Sequence, residues 1–158
     1  MENLLFTRID DRLIHGQVVA AWLRAYSSVS HILVIDDQAS RDDFMQQMFK
    51  MLVPSDITIE IRSVEEAAEM MRRGLLKPTM VIVKVPLTLK RLMDAGIKFE
   101  KINIGGMGMS AGRKKLFQNI SSTPEENEIF REIMKNGVTL EIQIIPAAKT
   151  VNVATILK

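Results

Sequence analysis

Short β-rich apolar runs alternate along the chain with longer stretches whose apolar residues recur every three or four positions. Leu4–Ile9, His31–Ile35, Ile57–Ile61, Met80–Val85, Lys101–Ile104, Leu116–Ile120 and Thr139–Ile144 read as strands. Several are continuously apolar, as in Ile32-Leu33-Val34-Ile35 and Met80-Val81-Ile82-Val83. Such runs suit strands covered on both faces, where every side chain needs an apolar neighbour. Over Gln17–Ala25, Val18, Val19, Trp22 and Leu23 fall at helical spacing, followed by Tyr26. Ser40–Leu52 does the same with Phe44, Met45, Met48 and Leu52. Ser63 with Glu66 three residues later has the pattern of a capping box, and Gly74 marks the end of that helix. Thr123-Pro124, followed by Glu125 and Glu126, opens another helix, which Asn136-Gly137 closes.

Repeated strand–helix–strand units of this length predict class α/β: an open, mostly parallel, doubly wound sheet of about seven strands with helices on both faces. No linker, repeat or low-complexity stretch interrupts residues 1–158, so a single domain is expected. Methionines such as Met45, Met48, Met51, Met70 and Met71 sit at helical spacing. That spacing predicts core packing rather than an adaptable binding surface.

Composition narrows the chemistry. A chain of 158 residues, 47% hydrophobic, is long and apolar enough for a real core. It has no cysteine, which excludes disulfides, thiolate zinc sites and cysteine nucleophiles, and fits a reducing, cytoplasmic compartment. His15 and His31 are the only histidines, too few for a histidine-built metal site, and no metal or cofactor is indicated. The net charge of +2 is dispersed and aromatics are 5%, which argues against nucleic acid as a partner. No leader-like segment opens the chain, and no segment approaches the roughly 20 apolar residues needed to cross a bilayer. The protein is therefore not expected to span a membrane itself.

In an open α/β sheet, ligands gather at the carboxyl ends of the strands. Three segments fall there: Asp10–Gly16, Asp36-Asp37-Gln38 and Gly105-Gly106-Met107-Gly108. The first is the richest, with Arg8, Asp10, Asp11, Arg12 and His15 within eight residues. With a helix starting near Gly16 or Gln17, His15 lies at a helix N-terminus. Its free N–H groups and partial positive charge favour an anion and a neutral, nucleophilic imidazole. Arg12 could hold phosphoryl oxygens bidentately. Asp10 or Asp11 could orient the imidazole or pair with an arginine, and the residues leave these alternatives open. They also leave open whether the cluster is a phosphoryl site or only a surface ion-pair group. His31, at the head of an apolar run, reads as structural. The glycines Gly105 and Gly106 lack the spacing of a nucleotide-binding loop, and serve either a phosphate or a close backbone approach. Arg113, Lys114 and Lys115 would extend a basic rim.

The segment Arg8 to Val18, with Trp22 following, resembles the signature of the IIB component of the bacterial phosphotransferase system, mannose–fructose–sorbose family. Val34-Ile35-Asp36-Asp37 with Ala39, Asn103 to Met107, and Gly137-Val138 with Gln143 and Pro146 extend the likeness over nearly the whole chain. The resemblance implies a cytoplasmic α/β protein, peripheral to a membrane complex, that takes a phosphoryl group from a phospho-IIA partner and passes it to a sugar entering through IIC and IID components. It places the phosphorylated histidine on His15 and the arginine beside it on Arg12, with Arg8 as a second contact and Nδ1 as the reacting nitrogen. Gly16, Gln17, Gly105 and Gly106 would support the site.

Two rivals compete. A receiver-like domain would be phosphorylated on Asp36 or Asp37 with Lys84 nearby, but receivers place the acceptor after the third strand, which here runs into Glu60-Ile61-Arg62. A nucleotide-binding module would use Gly105–Gly108.

Overall fold

The computed structural model describes residues 1–157. β1 (Leu4–Asp10) leads into α1 (Gly16–Ala25), and the alternation continues through β2 (His31–Ile35), α2 (Asp43–Leu52), β3 (Thr58–Arg62), α3 (Val64–Arg73), β4 (Thr79–Val83), α4 (Pro86–Asp94) and β5 (Lys101–Gly106). A hairpin of β6 (Lys114–Phe117) and β7 (Ile120–Ser122) follows, then α5 (Pro124–Lys135), β8 (Thr139–Ile142) and β9 (Val151–Asn152). The main sheet has seven strands in the order β3-β2-β4-β1-β5-β8-β9. All its pairs are parallel except β8 with β9.

The apolar strand runs are explained by burial from both sides. On β2, Ile32 and Val34 pack with Val19 and Trp22 of α1 and Phe49 of α2. Their neighbours Leu33 and Ile35 belong to the cluster on the other face, with Met71 of α3, Leu89 and Leu92 of α4 and Phe130 and Ile133 of α5. Each fully buried side chain of this kind contributes about 1.5–3 kcal/mol of transfer free energy. The capping box expected at Ser63 forms, its hydroxyl accepting from Glu66 N–H and the Glu66 carboxylate accepting in return, and the structure adds a second one between Thr123 and Glu126.

Several boundaries differ from the sequence reading. Leu116–Ile120 is not a sheet strand; it spans the turn of the β6–β7 hairpin, with Gln118 at φ 47°. The seventh strand is instead β9, a two-residue edge strand with no alternating pattern of its own. The strand from Met80 stops at Val83 because Pro86 occupies the first turn of α4, a helix the pattern did not single out. Ser40 lies in a short 3-10 turn, and α2 begins only after Asp42, whose carboxylate accepts from Met45 N–H. β8 ends at Ile142 rather than Ile144, which frees the next two carbonyls for another use. The methionine reading divides: Met71 and Met80 are buried, whereas Met48 and Met51 are exposed.

The sheet order decides which loops meet. β1 and β5 are neighbours, with Arg8 opposite Asn103 and Asp10 opposite Gly106, so the first and third candidate segments lie side by side. β4 separates β2 from β1, and the Asp36-Asp37 segment is kept apart from them.

Candidate functional site

After β1 the chain turns sharply: Leu13 N–H donates to the Asp10 carbonyl (2.9 Å), with Leu13 in the left-handed region at φ 57°. A branched residue is costly there. Burial of Leu13 and Ile14 beneath the loop, in the α1–α2 side of the core, holds the conformation. The alternation of anchors and free residues leaves Arg12 and His15 exposed. His15 is the N-cap of α1, in extended conformation, and its carbonyl accepts the first helical bond, from Val19. Its side chain makes no cap hydrogen bond and no acidic residue occupies the first turn of α1. The imidazole and the positive end of the helix are thus both uncommitted.

Arg12 is fixed from below. Its Nε and Nη2 donate to Oδ1 and Oδ2 of Asp10, each at 3.0 Å, and its backbone N–H also donates to Oδ1 at 3.0 Å. This side-on pair leaves Nη1 without a partner among the described residues. Asp10 is buried and is matched by a second cation, Arg8 (Nη2 to Oδ2 3.2 Å). Burial alone would push the Asp10 carboxyl up. The hydrogen bonds from Arg12 and the charges of Arg8 and Arg12 outweigh it and hold the group below the usual carboxylate range. The hydrogen bond to Asp10 correspondingly raises Arg12. With Arg8 neutralising Asp10, the trio presents one net positive charge, borne by exposed Arg12.

Arg8, expected as a second contact beside Arg12, lies instead beneath the loop with its donors turned inward. It is 2% exposed, and its guanidinium donates to Asn103 Oδ1 (2.7 Å), the Gln143 carbonyl (3.1 Å) and the Ile144 carbonyl (3.0 Å), with Cζ 5.4 Å from the Trp22 ring centroid. Burial pushes its pKa down, opposed by Asp10. Early termination of β8 supplies the two carbonyls. The glycines serve the same network: a Cβ on Gly105 would lie 1.8 Å from Arg8 Cζ, and one on Gly106 2.5 Å from Asp10 Oδ1. Of the two roles the residues left open, close backbone approach is the one seen.

Neither Asp10 nor Asp11 bonds to the His15 ring among the described residues. Asp11 Oδ2 accepts from Gly108 N–H at 2.7 Å and lies 3.7 Å from Arg113, tying the two loops together. Arg113 is no free rim charge, since it also pairs with Glu126 at 3.0 Å and donates to the Gly108 carbonyl; Lys114 and Lys115 are exposed. Gly16 opens α1 and Gln17 is exposed in its first turn. Asn103 and Gln143 are supports that sequence reasoning did not assign to the site, because they meet Arg8 only across strands. His31 is structural as expected: its ring bridges Thr79 Oγ1 (2.9 Å) and Glu60 Oε2 (2.7 Å).

The receiver reading fails on geometry. Asp36 accepts from Ala39 N–H, while Asp37 accepts from Val64 N–H and pairs with Arg91, each at 2.9 Å, so both carboxylates shape loops. Among the described residues no acidic or histidine cluster could hold a metal ion, and no helix is long and apolar enough to cross a membrane.

The chain is 26% identical over 160 residues to the fructose-specific EIIB component of the Bacillus subtilis phosphotransferase system, covering 100% of this chain and 98% of that one. The crystal structure of the IIBSor domain of the sorbose permease from Klebsiella pneumoniae superposes with a TM-score of 0.89 at 26% identity, covering 96% of this chain and 94% of the other. That of manxB from Thermoanaerobacter tengcongensis gives 0.88 at 31% identity, covering 96% and 93%. The family model of the PTS system sorbose subfamily IIB component matches residues 4–158. The chain belongs to this family of IIB components of the sugar phosphotransferase system.

Proposed function

We propose that His15 is the phosphoryl carrier: it takes a phosphoryl group from the phosphohistidine of a IIA protein and passes it to a sugar delivered by IIC and IID membrane components. One observation supports this above others. An exposed imidazole, unused as a cap, stands at the bare N-terminus of α1 beside an arginine locked by a buried, charge-compensated carboxylate. Histidine-to-histidine transfer needs positioning and charge stabilisation more than acid–base machinery. A lone pair of His15, on Nδ1 by family resemblance, forms the new N–P bond as the donor's N–P bond breaks and its electrons return to the donor ring. The uncommitted Nη1 of Arg12 and the first-turn N–H groups of α1 meet the charge on the phosphoryl oxygens. In the second step a sugar hydroxyl displaces His15 from phosphorus, its proton passing to a base of the acceptor site. Exposure of His15 suits an atom that two partners must reach in turn. The protein would then act in the cytoplasm, at the surface of the membrane complex.

The test is transfer of labelled phosphate from the phosphorylated IIA protein of the same bacterium. The label should be acid-labile and base-stable and absent from His15→Ala. Label that persists in that variant and is released by hydroxylamine would mark an acyl phosphate and overturn the reading.

A further inference from the structure

The pattern of α2 splits into two stripes. Phe49 is buried and Met45 half-buried against the core. Phe44, Met48, Met51 and Leu52 follow at i, i+4, i+7 and i+8 on the outward face, 76%, 42%, 84% and 43% exposed. A helix covering a sheet ordinarily shows solvent a polar face; this one shows a contiguous apolar stripe. Its end is placed by Leu52, whose Cδ2 lies 3.8 Å from where a Cβ on Gly16 would stand. The stripe therefore runs up to the residue next to His15.

We propose that this face of α2 docks the phosphohistidine-bearing donor protein through an apolar patch on that partner rimmed by carboxylates; the inference rests on the phosphoryl-carrier reading of His15. Three arguments favour this occupant. The stripe exposes on the order of 400 Å² of apolar surface, the scale of functional patches on monomers. That is about half of the roughly 800 Å² per partner in a standard stable interface, so it suits a partner that must leave each cycle better than a second copy of this chain. Three exposed cations lie at the ends of the helix, Arg12 in the loop before α1, Arg41 just before α2 and Lys50 in the last turn of α2, with Asp43 the exposed acid of its first turn and Asp42 engaged as the cap. A carboxylate-rimmed partner is attracted to these charges, whereas cytoplasmic faces of membrane proteins carry excess Lys and Arg and are repelled by them. Exposed methionines add a surface that can repack on a transient partner.

The double variant Phe44→Ser with Met51→Ser removes the two most exposed side chains of the patch, and Leu76→Ser, at a 95% exposed position outside α2, is the control. The full chain is labelled with ¹⁵N and titrated with the unphosphorylated IIA protein of the same bacterium, and phosphoryl transfer is timed with the phosphorylated form. Amide perturbations are expected on Phe44, Met48, Met51 and Leu52. The double variant should raise the apparent KM for the donor about tenfold with the maximal rate within about twofold of wild type. An unchanged KM, or perturbations confined to other surfaces, overturns the proposal. So does a defect seen only in sugar phosphorylation by membrane vesicles, which would assign the face to the acceptor. Loss of a wild-type dimer in the double variant would assign it to a second copy and likewise overturn it. The titration needs no phosphoryl group, so docking without label on His15 would count against the carrier reading alone.

Discussion

Arg12 has a guanidinium that reaches solvent while Asp10 fixes its Nε edge, and that division of labour is what a phosphoryl-binding arginine needs: one side anchored, the other free. Arg12→Ala should lower the maximal transfer rate by about 10²–10³-fold, the range seen when one preorganised donor to a developing charge is removed. The apparent KM for the donor should shift far less, and a variant altered only in KM would contradict the role. Asp10 makes a stability prediction. Replacing it in Asp10→Asn leaves Arg8 buried without its counter-charge, which costs about 3–5 kcal/mol at pH 7. Because the folded carboxyl is held below its unfolded value, its contribution is fully present above the unfolded range, about pH 4, and is lost as pH falls through the lower folded value. The difference in Tm between wild type and Asp10→Asn should therefore narrow on going from pH 7 towards pH 2. A gap that is constant with pH would disprove the pairing as its source. The eight-residue cluster was visible in the sequence; which carboxylate served which cation was not, since each aspartate lies within three residues of both arginines along the chain.

Among the elements, β5 ends in two glycines because β1 sends Arg8 and Asp10 towards it. Gly105→Ala would set a methyl 1.8 Å from a guanidinium that is itself enclosed, so neither side can withdraw. A loss of several kcal/mol is expected, larger than for Gly106→Ala, read from the urea midpoint; a wild-type midpoint for Gly105→Ala would refute the close approach. Helices α3 and α5 were legible because a capping box at Ser63 and Pro124 with acids in the first turn are local signals. The β6–β7 hairpin was not: Leu116 and Phe117 before Gln118-Asn119, and Ile120 after, read as one broken apolar run. β9 is shorter still and exists as a strand because the edge of β8 pairs with it. α4 carried its own signal in Pro86, Leu89 and Leu92, outweighed by the apolar run that precedes it.

At the scale of the whole molecule, the doubly wound sheet puts the first and third candidate loops together and leaves the second apart. The two-faced burial follows from the continuous apolar strands, and the placement of His15 at a helix start follows from the local pattern of strand, polar turn and amphipathic helix. These depend on neighbours in the chain, which is why sequence alone determined them, along with the family signature from Arg8 to Val18. The tertiary structure decided what depends on strands distant in sequence. It showed that Arg8 is enclosed by Asn103, Gln143 and Ile144 instead of lying exposed beside Arg12, and that the glycines of β5 admit that enclosure. It also showed which stripe of α2 meets the core: Phe44, Met45, Met48 and Phe49 are all apolar, and helical period cannot rank two apolar faces until the sheet covers one of them.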